Sequence, residues 1–543
     1  MKDPCSRLSF IIHYPIFFFF SSFIMNFFLF LMHSCFHLFL LLSLLLFLVK
    51  KLKTDTKKEK GFLLPPSPPK LPIIGNLHQL GKLPHSSLRH LSRLYGPVMR
   101  LHLGRYETII ISSAEAAREL LKTHDLQSCS RPSKDSAKKL TYNHLDIAFS
   151  PYSDYWREMR KTCVLELFSV KRVKSYQSIR EEEAGLLIDS ISESVCSETP
   201  VDLSEKSVAF MASILFRIAF GKRFQASEFG YEKFHEVLSE VVAMLGSFSA
   251  SEYMGFPEVM GKMIDKVSGR YGRLERVSKE LNSLFQKVID EHLDPDRIKP
   301  EEDDIIDVLL TIKKEQDELG ASYSMTHENI KGILLNIFLG GIDTGAITLI
   351  WAMAELAKHP NVMKKAQQEI RNHIKGKEKV TETETETDEL PYLKMIVKET
   401  LRLHPPAPLL VPRETMSHFK LNGYDIFPKT VIQVNAWAIG RDPKYWKNPE
   451  KFFPDRFADG SIDFKGQNFE LLPFGSGRRI CPAIFMGVKT VELGLVNLLY
   501  CYDWKLPNGM KEMDLNMEEA TGLSLTIFKK LPLKLVPVRP SID

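Results

Sequence analysis

The chain has 543 residues, of which 44% are hydrophobic and 26% are charged, and its formal net charge is +5. These are ordinary values for a globular protein, and the absence of a dense basic and aromatic stripe argues against a nucleic-acid partner. The chain has only 7 cysteines, an odd number without CxxC spacing, which argues against a disulfide framework or a zinc site and indicates a reducing compartment.

The N-terminal region predicts a retained membrane anchor at residues 27–49. This stretch carries no formal charge, is dense in Leu and Phe, and is long enough to cross a bilayer at about 1.5 Å per residue. The lysines that follow, from Lys50 to Lys60, place the rest of the chain on the cytosolic side and do not fit a cleaved signal peptide. Residues 1–26 are interpreted as an N-terminal extension, and Met25 is an alternative start.

A basic and proline-rich linker is predicted over residues 50–72, followed by a catalytic domain over residues 73–543. Five prolines lie between Pro65 and Pro72. Proline fixes φ and removes a donor, so this segment should be a stiff connection between anchor and domain.

Apolar periodicity predicts a domain that is mainly α with small β-sheets. Helices are expected at 153–168, 173–195, 204–221 and 271–293, and strands at 98–112, 419–434 and near the C-terminus. The run "TETETETDEL" at residues 381–390 alternates Thr with Glu and is predicted to be a solvated loop.

A long apolar helix is predicted over residues 329–360. It is apolar on nearly every face, so it should cross the protein interior, and Gly340 and Gly341 would weaken it at its middle. Asn336 and Asp343 make a second transmembrane span costly. The two glycines, with Asp343 and Thr344, instead predict a groove for a small ligand beside a proton relay.

Two further pairs lie at helical spacing. Glu399 and Arg402 in "KETLRLHPP" are predicted to form a buried pair, for which Arg456 in "FFPDRF" would supply the third member. Trp156 and Arg160 in "WREMRK" place an indole N–H and a guanidinium on one helix face, donors that suit a carboxylate. Each pair alone is more commonly structural than functional.

The stretch "PFGSGRRICPA", residues 473–483, surrounds Cys481 with glycines and two arginines just before a predicted helix. A helix N-terminus favours a thiolate, which serves as a nucleophile, a redox partner or a metal ligand. A lone cysteine is usually a small apolar residue. Arg479 beside it favours an anionic ligand.

Together these motifs resemble those of the cytochrome P450 monooxygenases. "FGSGRRICPA" is similar to the haem-binding signature, and "GGIDT", "PDRF" and the two helical pairs match further motifs, over the chain from Pro65 to the C-terminus. The proline hinge and the length resemble the large A-type group of plant endomembrane enzymes (family 71). The resemblance implies the cytochrome P450 fold, with haem between a long central helix and a cysteine-loop helix.

The resemblance also implies a role for each matched residue. Cys481 would be the axial thiolate ligand of the iron of haem b. Asp343 and Thr344 would organise water and deliver protons, and Phe474 would lie against the haem. The expected ligands of the haem propionates are Trp156, Arg160, Arg413 and Arg479. The triad Glu399, Arg402 and Arg456 would support the cysteine loop.

Three positions depart from the family pattern. Ala483 stands where glycine is usual, which costs little if the position is helical, so haem is still expected to bind. Gly345 replaces a frequent second threonine and could loosen the proton relay. Asp455 replaces a usual glutamate, while the neighbouring arginine is kept.

The implied function is insertion of one oxygen atom from O2 into a lipophilic small molecule of plant specialised metabolism. Electrons would come from NADPH through the membrane-bound NADPH–cytochrome P450 reductase, with cytochrome b5 as a further donor, and basic residues such as Arg157, Lys161 and Arg478 could dock the acidic partner. The protein would be a single-pass protein of the endoplasmic reticulum membrane with a cytosolic catalytic domain. The expected substrate contacts are Asn336, Gly340, Gly341, Leu409, Leu410, Gly522 and Leu523, with more from residues 141–150.

Two alternatives stay open at this point. One is a haem-thiolate isomerase or lyase that acts without O2, against which Thr344 argues because such relatives commonly lack that hydroxyl. The other is a non-catalytic haem-binding protein, against which the presence of Asp343, Thr344 and Glu399 argues. A requirement for NADPH and reductase, and substrate-driven O2 consumption, would separate them.

Overall fold

The structure is a computed structural model that describes residues 32–39, 42–43, 61–222, 231–246, 249–254, 258–299, 302–320, 324–386, 389–522 and 524–540. The chain divides into two units, Met1–Leu64 and Pro65–Asp543. In the first unit, residues 32–39 and 42–43 are helical. The predicted extension at 1–26, most of the predicted anchor at 27–49 and the lysine-rich part of the linker lie outside the described residues.

The second unit is mainly helical, as the periodicity predicts. Its α-helices are α1 (Pro84–Tyr95), α2 (Ala114–Arg118), α3 (Asp125–Ser128), α4 (Asp135–Leu140), α5 (Asp154–Thr162), α6 (Val170–Ser175), α7 (Gln177–Ser197), α8 (Leu203–Phe220), α9 (Tyr231–Gly246), α10 (Ala250–Tyr253), α11 (Glu258–Val267), α12 (Arg270–Leu293), α13 (Ile305–Glu318), α14 (His327–Lys358), α15 (Pro360–His373), α16 (Glu382–Glu386), α17 (Pro391–Leu403), α18 (Ala436–Ile439) and α19 (Ile484–Cys501). The four helices expected from the sequence correspond to α5, to α6 with α7, to α8 and to α12.

The strands form small sheets beside the helices. They are β1 (Val98–Leu103), β2 (Tyr106–Ile111), β3 (Val201–Asp202), β4 (Arg413–Glu414), β5 (Phe419–Leu421), β6 (Tyr424–Ile426), β7 (Val431–Val434), β8 (Asp503–Lys505) and β9 (Lys534–Val538). The sheet orders are β1-β2-β7-β4, β3-β9-β8 and β5-β6. The first sheet matters for the site because it carries Arg413 on β4.

The central helix α14 runs through the core and packs against α8 and α19. Thr326 caps its first turn through the N–H of Asn329, and Pro360 begins the next helix immediately after it. Among the described residues, α14 and α19 are the two helices long and apolar enough to cross a membrane, but 67% and 61% of their most apolar windows are buried inside the protein. Both are therefore core helices of the fold.

The prediction of a solvated loop at "TETETETDEL" is wrong. Residues Glu382–Glu386 form the short helix α16, and Glu382 is fully buried against the equally buried Arg180. The two side chains form a bidentate pair with distances of 2.7 and 2.8 Å. The helical spacing also places Thr385 on the buried side. A buried arginine on α7 thus explains why an acidic repeat folds into the core.

Candidate active site

A cavity of about 340 Å³ lies between the central helix α14 and the loop that precedes α19. Many of the predicted site residues line it, namely Arg160, Asn336, Gly340, Gly341, Thr344, Leu410, Arg413, Phe474, Arg479 and Cys481. Arg413 reaches the cavity from β4. The loop at residues 473–483, called the cysteine loop, reaches it from the start of α19. The structure therefore brings together side chains that are more than 300 positions apart in the chain.

Some predicted residues do not lie on the wall of this cavity. Leu409 packs with the cluster that contains Met99 and Leu101, and Gly522 is exposed, with its N–H donating to the Lys82 carbonyl at 3.1 Å. Their predicted role as substrate contacts has no support in this placement. Leu523 lies outside the described residues.

The cysteine loop is held by backbone contacts at both ends. The N–H of Cys481 donates to the carbonyl of Phe474 at 3.0 Å, which closes the loop on itself. Arg160 of α5 donates to the carbonyl of Ile480, the residue before the cysteine. Gly475 and Gly477 adopt left-handed φ values of 71° and 70°, which a side chain would disfavour. The loop therefore presents the Cys481 sulfur to the cavity.

Two local groups act on the Cys481 sulfur, which lies just before the first turn of α19. Ala483 is the N-cap of α19, and its backbone N–H points to the sulfur. Burial raises the pKa of the Cys481 thiol, while this N–H and the charge of Arg160 oppose the increase. Ala483 has a φ of −106°, a conformation open to any residue, so its methyl group is accommodated in place of the usual glycine.

Four arginines line the cavity, and the sequence analysis missed one of them, Arg131. This residue precedes Pro132 and carries no periodicity or motif, and its Nη1 donates to the carbonyls of Val411 and Pro412, both at 2.7 Å. Its Nε donates to the Ala148 carbonyl at 2.8 Å. Burial lowers the pKa of Arg131 well below its ordinary value and also lowers that of Arg160. The wall thus carries buried positive charge.

Arg479 lies at the centre of this cationic wall. It donates to the carbonyls of Cys129 and Ser150 at 2.7 Å and to that of Ile147 at 3.2 Å. Burial lowers its pKa to about 9. Its guanidinium lies 3.9 Å from the centre of the Trp156 ring, a cation–π contact. The indole N–H of Trp156 donates to Ile147, so this residue, which does not line the cavity, reaches the site through Arg479.

The glycines of the central helix have different surroundings. A Cβ added to Gly340 would meet nothing within 4 Å, so this position leaves open space beside the cavity. A Cβ on Gly341 would lie 2.6 Å from Leu215 Cδ1, and one on Gly345 would lie 2.7 Å from Met211 Sδ. A side chain at Gly341 or Gly345 would therefore have to displace Leu215 or Met211 of α8. The second threonine of the family pattern would meet Met211 in the same way.

Thr344 and Asp343 lie side by side on α14 but have different partners. The hydroxyl of Thr344, which lines the cavity, donates to the Gly340 carbonyl at 2.5 Å. Asp343 lies outside the lining, and its carboxylate accepts from Thr526 of the C-terminal region at 3.4 Å. Burial raises the pKa of Asp343, against the opposing charge of His235 and the Thr526 bond. Thr526 is a contact that the sequence analysis did not identify.

Asn336 ties the central helix to the loop at residues 146–150. Its amide oxygen accepts from the backbone N–H groups of Ile147 and Ala148, both at 2.9 Å. Asp146 caps the same loop by accepting from Ala148 and Phe149. The amide oxygen of Asn336 is therefore occupied by hydrogen bonds within the protein, although the residue was predicted as a substrate contact.

Glu399, Arg402 and Arg456 form a buried network away from the cavity. Arg402 donates two bonds to Glu399, at 2.7 and 2.9 Å, and Arg456 donates to the same carboxylate at 3.0 Å. Arg402 also donates to the Gly440 carbonyl at 2.6 Å. The carboxylate is fully buried, and a buried charge with this many bonds fixes the surrounding backbone. Nearby, Asp455 accepts from Lys365 at 2.5 Å.

The residues around the cavity fit haem. In the part of the chain that the structure describes, the hydrogen bonds of Arg131, Arg160 and Arg479 go to backbone carbonyls and not to carboxylates. Buried guanidinium groups without a full counter-charge suit a ligand that brings its own carboxylates. The sulfur of Cys481 on the same cavity is a donor that binds haem iron.

The comparisons with known proteins agree with this fit. The family model described as "Cytochrome P450" matches residues 65–531. Two Arabidopsis thaliana relatives are similar to the chain over most of both lengths. "Cytochrome P450 71B34" is 54% identical over 477 residues, 88% of this chain and 93% of the relative. "Cytochrome P450 71B10" is 53% identical over 504 residues, 92% of this chain and 98% of the relative.

A solved structure of a zebrafish cytochrome P450 with abiraterone shares the fold. It superposes with a TM-score of 0.70 at 24% identity and covers 85% of this chain and 100% of that one. Mainly helical architecture with small sheets, a cysteine loop on a buried cavity, and close plant relatives all point to the same class. The chain belongs to the cytochrome P450 family, in which it is a haem-thiolate monooxygenase.

Proposed function

We propose that the protein inserts one atom of O2 into a lipophilic small molecule of plant specialised metabolism, with electrons supplied from NADPH by a membrane-bound reductase. One observation carries the proposal: Cys481 and the arginines 131, 160 and 479 line the same cavity as Gly340 and Thr344 of the central helix.

The cavity wall supplies ligands for each part of the haem. Cys481 would bind the iron, and Phe474 would lie against the ring, braced by an edge contact to Phe464 at 5.4 Å between ring centres. The propionates would be bound by the arginines that line the cavity, with Trp156 acting through Arg479. When bound, haem supplies the activation of O2 and the oxygen-atom transfer.

The central helix would control protons and water at the site. The Thr344 hydroxyl donates to Gly340, and its oxygen can still accept a hydrogen bond from a water in the cavity. The raised pKa of Asp343 makes this carboxyl a better proton carrier near neutral pH than an exposed aspartate. A proton would pass from Asp343 through water to the Thr344 hydroxyl.

The substrate class follows from the remaining wall. Besides the arginines and Thr344, the cavity is bounded largely by apolar side chains, among them Met211, Ile214, Leu215, Ile337 and Leu410. Such a wall binds a lipophilic molecule by excluding water. The region 141–150 contributes Ile147 and Ala148.

The anchor predicted at 27–49 would place the enzyme in the endoplasmic reticulum membrane with residues 73–543 in the cytosol. The exposed side chains of Arg157 and Lys161 lie on α5, Arg157 one turn before Arg160 and Lys161 directly after it, and the half-exposed Arg478 belongs to the cysteine loop. These cations would dock the acidic surface of the reductase, and cytochrome b5 would use the same face.

Expression with a plant NADPH–cytochrome P450 reductase in microsomes tests the proposal. Incubation with a library of lipophilic plant metabolites should give products that are 16 Da heavier, and label from 18O2 should enter the product. Product that forms without NADPH, or that carries no label, would favour an isomerase or lyase. Haem without substrate-driven O2 consumption would indicate a non-catalytic protein.

A further inference from the structure

We propose that Asp125 is a positioning residue that holds Arg413 and the cysteine loop in register, and that it thereby sets the retention and the reduction potential of the haem. This inference rests on the proposed function, because it concerns the group that Cys481 would bind. Asp125 was not among the residues predicted from the sequence.

The Asp125 carboxylate makes hydrogen bonds to both Arg413 and the cysteine loop. Asp125 is 3% exposed. Its Oδ1 accepts from Arg413 Nη1 at 2.7 Å, and its Oδ2 accepts from both the backbone N–H and Nη1 of Arg478 at 3.0 Å. A carboxylate with three donors from charged or loop groups is strongly oriented. Asp125 therefore joins β4 to the cysteine loop.

Arg413 connects Asp125 with the cavity. Its second terminal nitrogen, Nη2, donates to the Ser476 carbonyl at 2.8 Å, so both ends of the planar fork are fixed. Arg413 lines the cavity, whereas Asp125 does not. Asp125 thus acts on the haem site through Arg413 and the cysteine loop, and not by direct contact.

Gly477 provides independent support for a loop built to fit this carboxylate. Its φ is +70°, and a Cβ added to it would lie 2.5 Å from Asp125 Oδ1. It would also lie 2.6 Å from the carbonyl oxygen of Leu121, so a side chain at this position would push the loop away from both groups, besides straining the backbone. The glycine at 477 therefore permits the close approach of the cysteine loop to Asp125.

The charge of Asp125 distinguishes Arg413 from the other arginines of the cavity. Among the described residues, Arg413 is the cavity arginine with a carboxylate as a hydrogen-bond partner, since Arg131, Arg160 and Arg479 donate to backbone carbonyls. Removing this negative charge would make the site more positive. A more positive site favours the reduced iron, so the potential should rise.

The test compares the haem-loaded full-length protein with Asp125→Asn, which keeps the shape and removes the charge. The matched control is Asp154→Asn, whose carboxylate is 92% exposed. We measure haem transfer to apomyoglobin, the midpoint potential and the reduced-CO spectrum. Asp125→Asn should release haem at least tenfold faster, shift the potential positively and increase the fraction absorbing at 420 nm, and the control should match the wild type.

Two further variants separate this role from general loss of structure. Asp125→Ser, which also removes the charge, should reproduce the faster haem loss, and it replaces Asp125→Asn as the test if that variant does not fold. In an Arg413→Gln background, Asp125→Asn should change the haem-loss rate less than threefold. Unchanged haem loss and potential in the folded Asp125 variant, or effects that multiply fully in the double variant, would overturn the inference. A wild-type protein that never binds haem would instead overturn the proposed function.

Discussion

Asn336 on the central helix and Ile147 in the loop before α5 are joined by a hydrogen bond of 2.9 Å from the Ile147 N–H to the Asn336 amide oxygen. The carbonyl of the same Ile147 accepts from Trp156 at 2.9 Å and from Arg479 at 3.2 Å. One residue thus connects the helix over the cavity to the cationic wall below it. A substitution that displaces the central helix at Asn336 should therefore also displace the arginines of the cationic wall.

Replacing Asn336 with Leu tests this connection. Leu keeps the size but leaves the Ile147 N–H without its acceptor, at a cost of about 1–3 kcal/mol for a buried donor, while the Ala148 N–H keeps its bond to Asp146. Hydrogen exchange at the Ile147 amide should become at least tenfold faster, and haem loss should also accelerate. Asn336→Asp retains an acceptor and should preserve the protection. Wild-type exchange in the Leu variant would contradict the connection.

Thr344→Ala should separate haem binding from productive turnover. The variant lacks a hydroxyl that lines the cavity, so it should keep haem and consume NADPH while product per NADPH falls by at least about 10-fold, because a positioned proton-transfer group typically contributes about 100-fold or more. The control is Thr400→Ala, because Thr400 makes the same back-bond, to the Ile396 carbonyl at 2.8 Å, and does not line the cavity. Tight coupling in Thr344→Ala would remove the relay from the mechanism.

Gly345→Ala should destabilise the protein although it removes a glycine from a helix. The new Cβ would lie 2.7 Å from Met211 Sδ, whereas Gly340→Ala meets nothing within 4 Å and gains the same helix propensity. The free energy of unfolding of the two variants should differ by about 1–3 kcal/mol, measured by denaturant titration. In a Met211→Ala background, Gly345→Ala should cause little further loss of stability, because the atoms that it meets are gone. Equal stability of the two glycine variants would contradict close packing at this position.

Glu382→Ala should be unusually costly for a residue in an acidic repeat. It would leave the fully buried Arg180 without its partner, which destabilises by about 3–5 kcal/mol. Glu389→Ala, in the same run but 60% exposed, should change the free energy of unfolding by less than about 0.5 kcal/mol. Denaturant unfolding measures both. Similar changes in the free energy of unfolding for the two substitutions would indicate that Glu382 is as exposed to solvent as Glu389.

Features that depend on neighbouring residues were predictable from the sequence, and those that depend on distant partners were not. The mainly α fold and the central helix follow from local periodicity, although the central helix, capped by Thr326, spans His327–Lys358 and not the predicted 329–360. The pair Glu399 and Arg402 lies within one turn, so its spacing predicts the contact that the structure contains.

Arg131, Asp125 and Glu382 could not be assigned from local patterns. Asp125 meets Arg413 across 288 positions, and Glu382 meets Arg180 across 202. These residues are buried because the fold brings distant segments of the chain into contact, which no local pattern indicates. The same holds for Trp156, whose indole N–H was expected to reach a ligand and donates to Ile147 instead.

The reduced-CO difference spectrum of the wild type and of Cys481→Ala tests the central claim most directly, because the 450 nm band requires sulfur on the haem iron. We expect the wild type in microsomes to show this band and Cys481→Ala to lack it, while Cys501→Ala, a cysteine at the far end of α19, keeps it. A 450 nm band that persists in Cys481→Ala, or a wild-type protein without porphyrin, would contradict the account.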